Sequence, residues 1–276
     1  ADTPNLDKLA MEAICGLHEP IGPGITPGSG PAHLALFGYD PVKYQVGRGV
    51  LAALGINFDL KHADVAARGN FCTIDEKGLV TDRRAGRISS EINKELCEKL
   101  QKIKLPGVEI FVETVKEHRF LLVLRGKGLN GQIADTDPQH TGKKPLKANP
   151  ISDKAKDTAK LVDKFSAEAR KVLRNDHPAN MVLLRGFAQR PKWPTMQEAY
   201  GLRSAAVAGY PMYRGLAKLL GMEEPETGGT FEDEIKTLSD TWDKYDFYYV
   251  HVKGSDSAGE DGDFDRKVKV IEDVDK

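Results

Sequence analysis

The chain has 276 residues, 40% of them hydrophobic and 29% charged, which allows a two-domain body or one large α/β domain with a real core. A formal net charge of −1 leaves no electrostatic footprint for nucleic acid, and no apolar run approaches the length of a membrane span. Cys15, Cys72 and Cys97 are widely spaced without a CxxC pair, which excludes a disulfide framework and a zinc knuckle; with no secretory leader in front, the cytoplasm is the expected location.

Thr3 and Pro4 form a helix-start signal, and Leu6, Leu9, Ala10 and Ala13 mark the stripe that helix is expected to bury. The run 27–41 places Ser29 between two glycines in a Gly/Pro-rich bend, directly before an apolar segment able to start a helix. At a helix N-terminus the free amide protons and the helix dipole favour negative charge. That suits a hydroxyl that attacks a phosphoryl group and then carries it, although an N-cap serine explains the same residues. Residues 47–49 (Gly-Arg-Gly) lead into a second helix over 50–54. Residues 65–74 read as a strand, 94–103 as a helix, and 108–115 with 120–124 as a hairpin. The stretch 126–150, rich in Gly, Lys, Asp and Pro, predicts a mobile or ligand-bearing connection.

From Ser152 a long helix is expected to about Asn175, with Val162, Phe165, Ala169, Val172 and Leu173 inward. Short buried strands follow at 181–184, 205–208 and 247–252, with a helix through Leu216, Leu219 and Leu220 before the last. Apolar strands alternating with helices predict an α/β fold with a mainly parallel sheet covered on both faces. Phe264, Val268 and Ile271 share one helical face near the end, from which native sequence is expected to continue on both sides.

Several residues carry chemistry. The strand 247–252 runs into the acidic segment 253–263, and open α/β sheets keep their sites at the carboxyl ends of strands. Asp256 and Glu260, with Asp261 or Asp263 nearby, could offer hard oxygen ligands to a divalent metal; a solvated loop capping the next helix accounts for them as well. Arg83, Arg84 and Arg87 concentrate guanidinium groups able to grip a doubly anionic metabolite, with Arg68 and Arg125 at neighbouring strand ends; a surface charge cluster is the plain alternative. Asp135 and Asp137 could supply a base or a substrate contact, or bond their own backbone in a turn. His33 reads as a packed, hydrogen-bonded histidine, and the other histidines show no metal-binding spacing.

Residues 1–10, 27–41, 82–87, 128–138, 200–209 and 256–259 together resemble, in order and over nearly the whole chain, the archaeal-type cofactor-independent phosphoglycerate mutases of the alkaline phosphatase superfamily. The resemblance implies an α/β core at 1–60 and 176–276 that carries the serine and metals, and a smaller α+β insert at 61–175 that clamps the substrate. It implies that Ser29 is the nucleophile that becomes phosphoserine and touches a metal. Asp256 is then a metal ligand, and Arg68, Arg83, Arg84, Arg87 and Arg125 form the anion clamp. Arg214 stands where similar sequences often have Lys, as a cation near the phosphoryl group, and Asp135 or Asp137 shuttles the hydroxyl proton. Glu260 occupies a position where the family pattern has His. Oxygen for imidazole moves the preference from zinc towards manganese or magnesium, or weakens that metal position.

Two divalent ions are therefore expected, manganese first, with magnesium, cobalt or zinc as alternatives, and no 2,3-bisphosphoglycerate. The implied reaction is the glycolytic interconversion of 3-phosphoglycerate and 2-phosphoglycerate. The expected partner is that small molecule, not nucleic acid or membrane, and an oligomer is admitted. Since the family draws further ligands from segments outside these residues, the chain is expected to be truncated at both ends and inactive by itself. The rival readings are a metal-dependent phosphatase or other phosphoryl-transfer enzyme on the same core, and a non-catalytic protein that binds phosphorylated metabolites.

Overall fold

The computed structural model describes residues 1–25 and 27–276. Two helices, α1 (Pro4–Glu12) and α2 (Ser29–Leu36), open the chain. Thr3 and Pro4 start α1 as the sequence predicts, but the helix buries no residue, and Leu6 and Leu9 are exposed rather than in a core. Its first amides are satisfied by a carboxylate instead: Asp275 accepts from the nitrogens of Asn5 and Leu6 at 3.0 and 2.7 Å.

Residues 46–193 form one compact unit. It opens with α3 (Arg48–Gly55), followed by β1 (Val65–Ile74), β2 (Val80–Asp82) and α4 (Ser90–Leu100). The hairpin β3 (Val108–Lys116) and β4 (Arg119–Gly126), then α5 (Lys156–Leu173) and β5 (Met181–Ala188), complete it. β1 is the centre of the sheet. β4 runs along one side of it, from Val65 opposite Leu124 to Asn70 opposite Arg119; β5 takes the other, ending with Cys72 opposite Met181, and β2 pairs with β1 at Thr73 and Ile74.

Every pairing in this sheet is antiparallel, as suits the α+β insert expected over most of these residues; the correction concerns β5, which was expected in the mainly parallel core and instead pairs antiparallel with β1. An apolar run such as 181–184 records that a strand is buried, not which way its neighbour points. α4 and α5 supply Leu96, Leu100, Phe165 and Leu173 to the main core, where they meet Phe71, Phe120 and Leu122. Val172, expected inward, is exposed. α3 packs on the opposite face of β1, with Gly49 so close to the Ala66 backbone that no side chain fits there. Gly69 sits against the ring of Phe120 in the same way.

Residues 1–45 with 194–276 form the second unit. Beyond α1 and α2 it contains α6 (Met196–Tyr200), β6 (Ser204–Ala208), α7 (Pro211–Leu219), α8 (Phe231–Thr241), β7 (Phe247–His251), α9 (Gly254–Glu260) and α10 (Phe264–Asp275). β6 and β7 are parallel, from Ser204 beside Phe247 to Ala208 beside His251. α6 and α8 each begin with a reciprocal capping box, Thr195 with Glu198 and Thr230 with Asp233. Phe264 is exposed, so the expected apolar face of α10 is only partly realised. The insert expected at 61–175 lies wholly within the 46–193 unit, which also takes in α3 and β5 because both pack on β1. No described helix is long and apolar enough to cross a membrane.

Candidate active site

Ser29 is the first residue of α2. The cap position belongs to Gly28, in extended backbone (φ −71°, ψ 156°), and no side chain caps this helix. The serine hydroxyl is therefore not spent on the N-cap bond that the plain reading assigned to it. Tyr213 is near enough for the serine side chain to influence its hydroxyl, while the Ser29 carbonyl accepts from His33 Nδ1 at 2.7 Å.

α7 carries Tyr213 and the end of β7 carries Tyr249 and His251 into this group. The His33 and Tyr213 ring centroids are 4.8 Å apart, and those of Tyr213 and His251 are 3.7 Å apart. Lys253 lies 5.3 Å from the Tyr210 ring and 6.0 Å from that of Tyr213, and it pairs with Asp256 in the first turn of α9. Glu260, at the other end of α9, repels the ionised form of Tyr213, whose hydroxyl is raised chiefly by burial. Ser29 and α9, far apart in sequence, are thus both brought near Tyr213, Glu260 directly and Asp256 through its pairing with Lys253.

Burial also holds His33 below the usual imidazole range and brings His251 down to about 4, with His33 and Lys253 adding to the second shift. Both imidazoles are neutral at neutral pH. Among the described residues, His251 Nδ1 and the Tyr249 hydroxyl are buried without a hydrogen-bond partner. Arg214 is engaged elsewhere: Glu224 accepts from its Nε and Nη2 at 3.4 and 3.1 Å and is also paired with Lys218 at 2.8 Å.

The expected metal centre does not fit these residues as they stand. Asp256 is paired with Lys253, and among the described residues no three His, Cys, Asp or Glu side chains are grouped to hold a metal ion.

In the 46–193 unit the expected clamp separates into two kinds of arginine. Arg83 forks onto Asp137 at 3.0 and 2.7 Å, and the Asp137 side chain is fully buried. Burial pushes that carboxyl up, but Arg83, the Gln139 amide and Arg185 outweigh it and hold Asp137 below the usual range. Arg125 closes on the buried Asp64 at 2.7 to 3.1 Å and lies 4.6 Å from the Phe111 ring. Both are anchors of the fold.

Arg68, Arg84 and Arg87 share a different target. Together with Arg119 they act on His118, which burial first, and then these cations, bring down to about 3. The loop that presents Arg84 and Arg87 is held by Asp82, which accepts from the amides of Arg84 and Gly86 at 2.7 and 2.6 Å. Ala85, Gly86 and Arg87 all adopt positive φ (47°, 63° and 54°), a conformation that L side chains accept only under constraint. Asp135 accepts from the Gly186 amide at 2.7 Å and from Arg185 Nε at 3.3 Å, and is the more accessible of the two expected carboxylates. Arg48, at the start of α3, is near Arg185, Asp135 and Asp137 as well.

Sequence reasoning missed Tyr213, His251 and Lys253, and likewise His118, Arg119 and Arg185. Only position in the fold distinguishes them; the one local signal was that Lys253 immediately precedes the acidic segment.

Comparison with known proteins gives a consistent result. Residues 10–180 match the family described as 2,3-bisphosphoglycerate-independent phosphoglycerate mutase. A probable 2,3-bisphosphoglycerate-independent phosphoglycerate mutase of Thermus thermophilus is 50% identical over 278 residues, covering 99% of this chain and 68% of the relative. One from Thermotoga neapolitana is 51% identical over 280 residues, covering all of this chain and 69% of the relative. Among solved structures, the cofactor-independent phosphoglycerate mutase from Thermoplasma acidophilum is 32% identical with a TM-score of 0.66, over all of this chain and 74% of that one. A Pyrococcus horikoshii protein is 26% identical with a TM-score of 0.80, over all of this chain and 69% of that one.

Proposed function

Because this chain belongs to the 2,3-bisphosphoglycerate-independent phosphoglycerate mutase family, we propose that it interconverts 3-phosphoglycerate and 2-phosphoglycerate through a phosphoserine at Ser29. The observation that supports this most is the placement of Ser29: its side chain stands at the first position of α2, where no side-chain cap bond is made. The amides of that first turn favour the phosphoryl group as it arrives and after it has been transferred.

In the forward step Ser29 Oγ bonds to phosphorus and the bond from phosphorus to the 3-oxygen of the substrate breaks, leaving glycerate. The glycerate 2-hydroxyl then takes the phosphoryl group back and frees Ser29. Arg68, Arg84 and Arg87, with Arg119, hold the anionic groups of glycerate so that it turns without leaving. Asp135 carries the hydroxyl proton between the two steps, while Asp137 and Asp64 keep Arg83 and Arg125 in place. Arg214 serves the site through Glu224 rather than by touching phosphate.

An alkaline-phosphatase-like core for residues 1–45 with 194–276 belongs to the same proposal, and the parallel pairing of β6 and β7 supports it. So does a cytoplasmic location. Two divalent ions, manganese first, are proposed to face Ser29, Asp256 and Glu260 and to neutralise phosphoryl charge. Since the described residues do not complete such a site, no step above runs through a metal.

The test is to incubate the protein with 3-phosphoglycerate and manganese chloride, without bisphosphoglycerate, and to follow products by phosphorus NMR. Formation of 2-phosphoglycerate that stops in Ser29→Ala supports the mutase, and loss on adding chelator supports the metals. Release of inorganic phosphate alone replaces it with the phosphatase reading. Binding of 3-phosphoglycerate with no product replaces it with the non-catalytic one.

A further inference from the structure

We infer that Asn93, together with Ser90, is a positioning residue for the anion clamp: from α4 the two hold the turn between β3 and β4 in the register that puts Arg119 on the same face of the sheet as Arg68. The inference rests on Arg119 being one of the cations that hold glycerate. The buried stripe of α4 is Asn93, Leu96, Cys97 and Leu100, so an amide stands where an apolar side chain would pack. Asn93 is 0% exposed, and a polar group so placed costs free energy unless it is bonded. Its Nδ2 donates to the carbonyls of Glu117 and Arg119 at 2.5 and 2.9 Å. Cys97 Sγ donates to its Oδ1 at 3.1 Å and keeps the amide turned that way. Ser90 Oγ accepts from the Glu117 amide at 3.0 Å.

The turn needs this hold because its own residues do not supply it. Glu117 and His118 form it, between the paired Lys116 and Arg119. Such two-residue turns favour glycine or asparagine where φ is positive, yet Glu117 takes φ 49°. Register follows from the turn, and a slip by one residue sends every side chain of a strand to the other face. In the observed register Arg119 lies opposite Asn70, on the face of β1 that also carries Arg68. The other face carries Phe71 and Phe120 in the main core, which has no place for a guanidinium.

Asn93→Leu keeps the branched shape of the side chain and removes its bonds. Ser90→Ala removes the remaining bond from a half-buried position and serves as the test should Asn93→Leu not fold. The Kd for 3-phosphoglycerate, read by isothermal titration calorimetry and so without turnover, is expected to rise about tenfold in Asn93→Leu and about threefold in Ser90→Ala. Leu96→Ala, on the same stripe, loses core packing but none of the bonds to the turn. It is expected to lower the urea midpoint at least as far while leaving Kd within about twofold of the parent. An unchanged Kd in both Asn93→Leu and Ser90→Ala, or an equal rise in Leu96→Ala, overturns the inference and leaves Asn93 a structural residue alone. Arg119→Ala tests the premise separately, with an expected rise in Kd of about tenfold. No rise there removes Arg119 from the clamp, and the inference falls with it. A rise there with none in the Asn93 and Ser90 variants overturns the inference and leaves the clamp standing. A parent that shows the expected pattern of Kd values but forms no 2-phosphoglycerate upholds the positioning role and removes the mutase reading instead.

Discussion

Two groups of arginines in the 46–193 unit carry the same charge and meet opposite surroundings. Arg83 and Arg125 are each closed on a carboxylate almost wholly removed from solvent, Asp137 and Asp64. Arg68, Arg84, Arg87 and Arg119, the last also paired with Glu117 at 3.2 Å, instead surround His118, which burial first and then these cations keep uncharged. A buried ion pair is a closed electrostatic account, with both charges satisfied inside the fold. Cations that converge on a neutral imidazole raise the local potential and favour an anion from outside. Clustering in sequence does not separate the two groups, since Arg83 and Arg84 are adjacent and fall on opposite sides of the division.

The largest effect expected from this contrast appears in acid. An ordinary imidazole takes a proton near pH 6.5, whereas His118 in the folded chain does so only at about 3. Between those values the unfolded chain binds more protons, so stability falls as pH drops below 6.5 and levels out below 3, with a slope approaching about 1.4 kcal/mol per pH unit. His251 and His33 contribute in the same direction, so the difference between parent and His118→Gln isolates His118. Urea unfolding at pH 7, 5.5 and 4.5 should show a flatter dependence in the variant; parallel curves would mean that burial and the neighbouring arginines do not depress this histidine.

Next in size is the removal of a buried partner. Asp137→Ala leaves Arg83 beside an empty, water-poor pocket and should cost about 3 kcal/mol in a urea titration at neutral pH. A loss under about 1 kcal/mol would mean that Arg83 is not an anchor of the fold. Smaller in free energy is Arg87→Ala, which should leave the unfolding midpoint nearly unchanged and raise KM for 3-phosphoglycerate about tenfold, equivalent to about 1.4 kcal/mol. If the midpoint falls and KM does not move, Arg87 belongs with the anchors.

Much of the local structure was legible because its causes are local. β1 carries apolar residues at both ends, Val65-Ala66-Ala67 and Phe71-Cys72, and the hairpin of β3 and β4 is divided by a short polar turn. The Gly28-Ser29-Gly30-Pro31 sequence starts a helix where a glycine caps it and a serine follows. What failed was what depends on distant partners. β5 reads equally well as a parallel or antiparallel strand until Arg185 is set beside Arg68 by the register with β1. α1 has an apolar stripe on paper, yet its specific contact is polar, the Asp275 carboxylate on its first amides.

The site divides along the same line. Ser29, Asp256 and the Arg84–Arg87 loop stand in short segments of unusual composition, which is what singles them out in the sequence. Tyr213, His118 and Arg119 sit in unremarkable segments, and only the folded chain gives them their neighbours. The capping boxes of α6 and α8 were written in the sequence and could have been read from it, Thr-x-x-Glu and Thr-x-x-Asp before helical stretches.

The contact of Gly69 with Phe120 also bears on how the gene can change. Any change that replaces this glycine by another residue adds at least a methyl group where the phenyl ring already lies. Position 69 is therefore closed to drift as long as position 120 keeps its aromatic ring. The two positions form one heritable unit: a smaller residue at 120 must come first, at the cost of a void in the core, before 69 acquires any freedom at all.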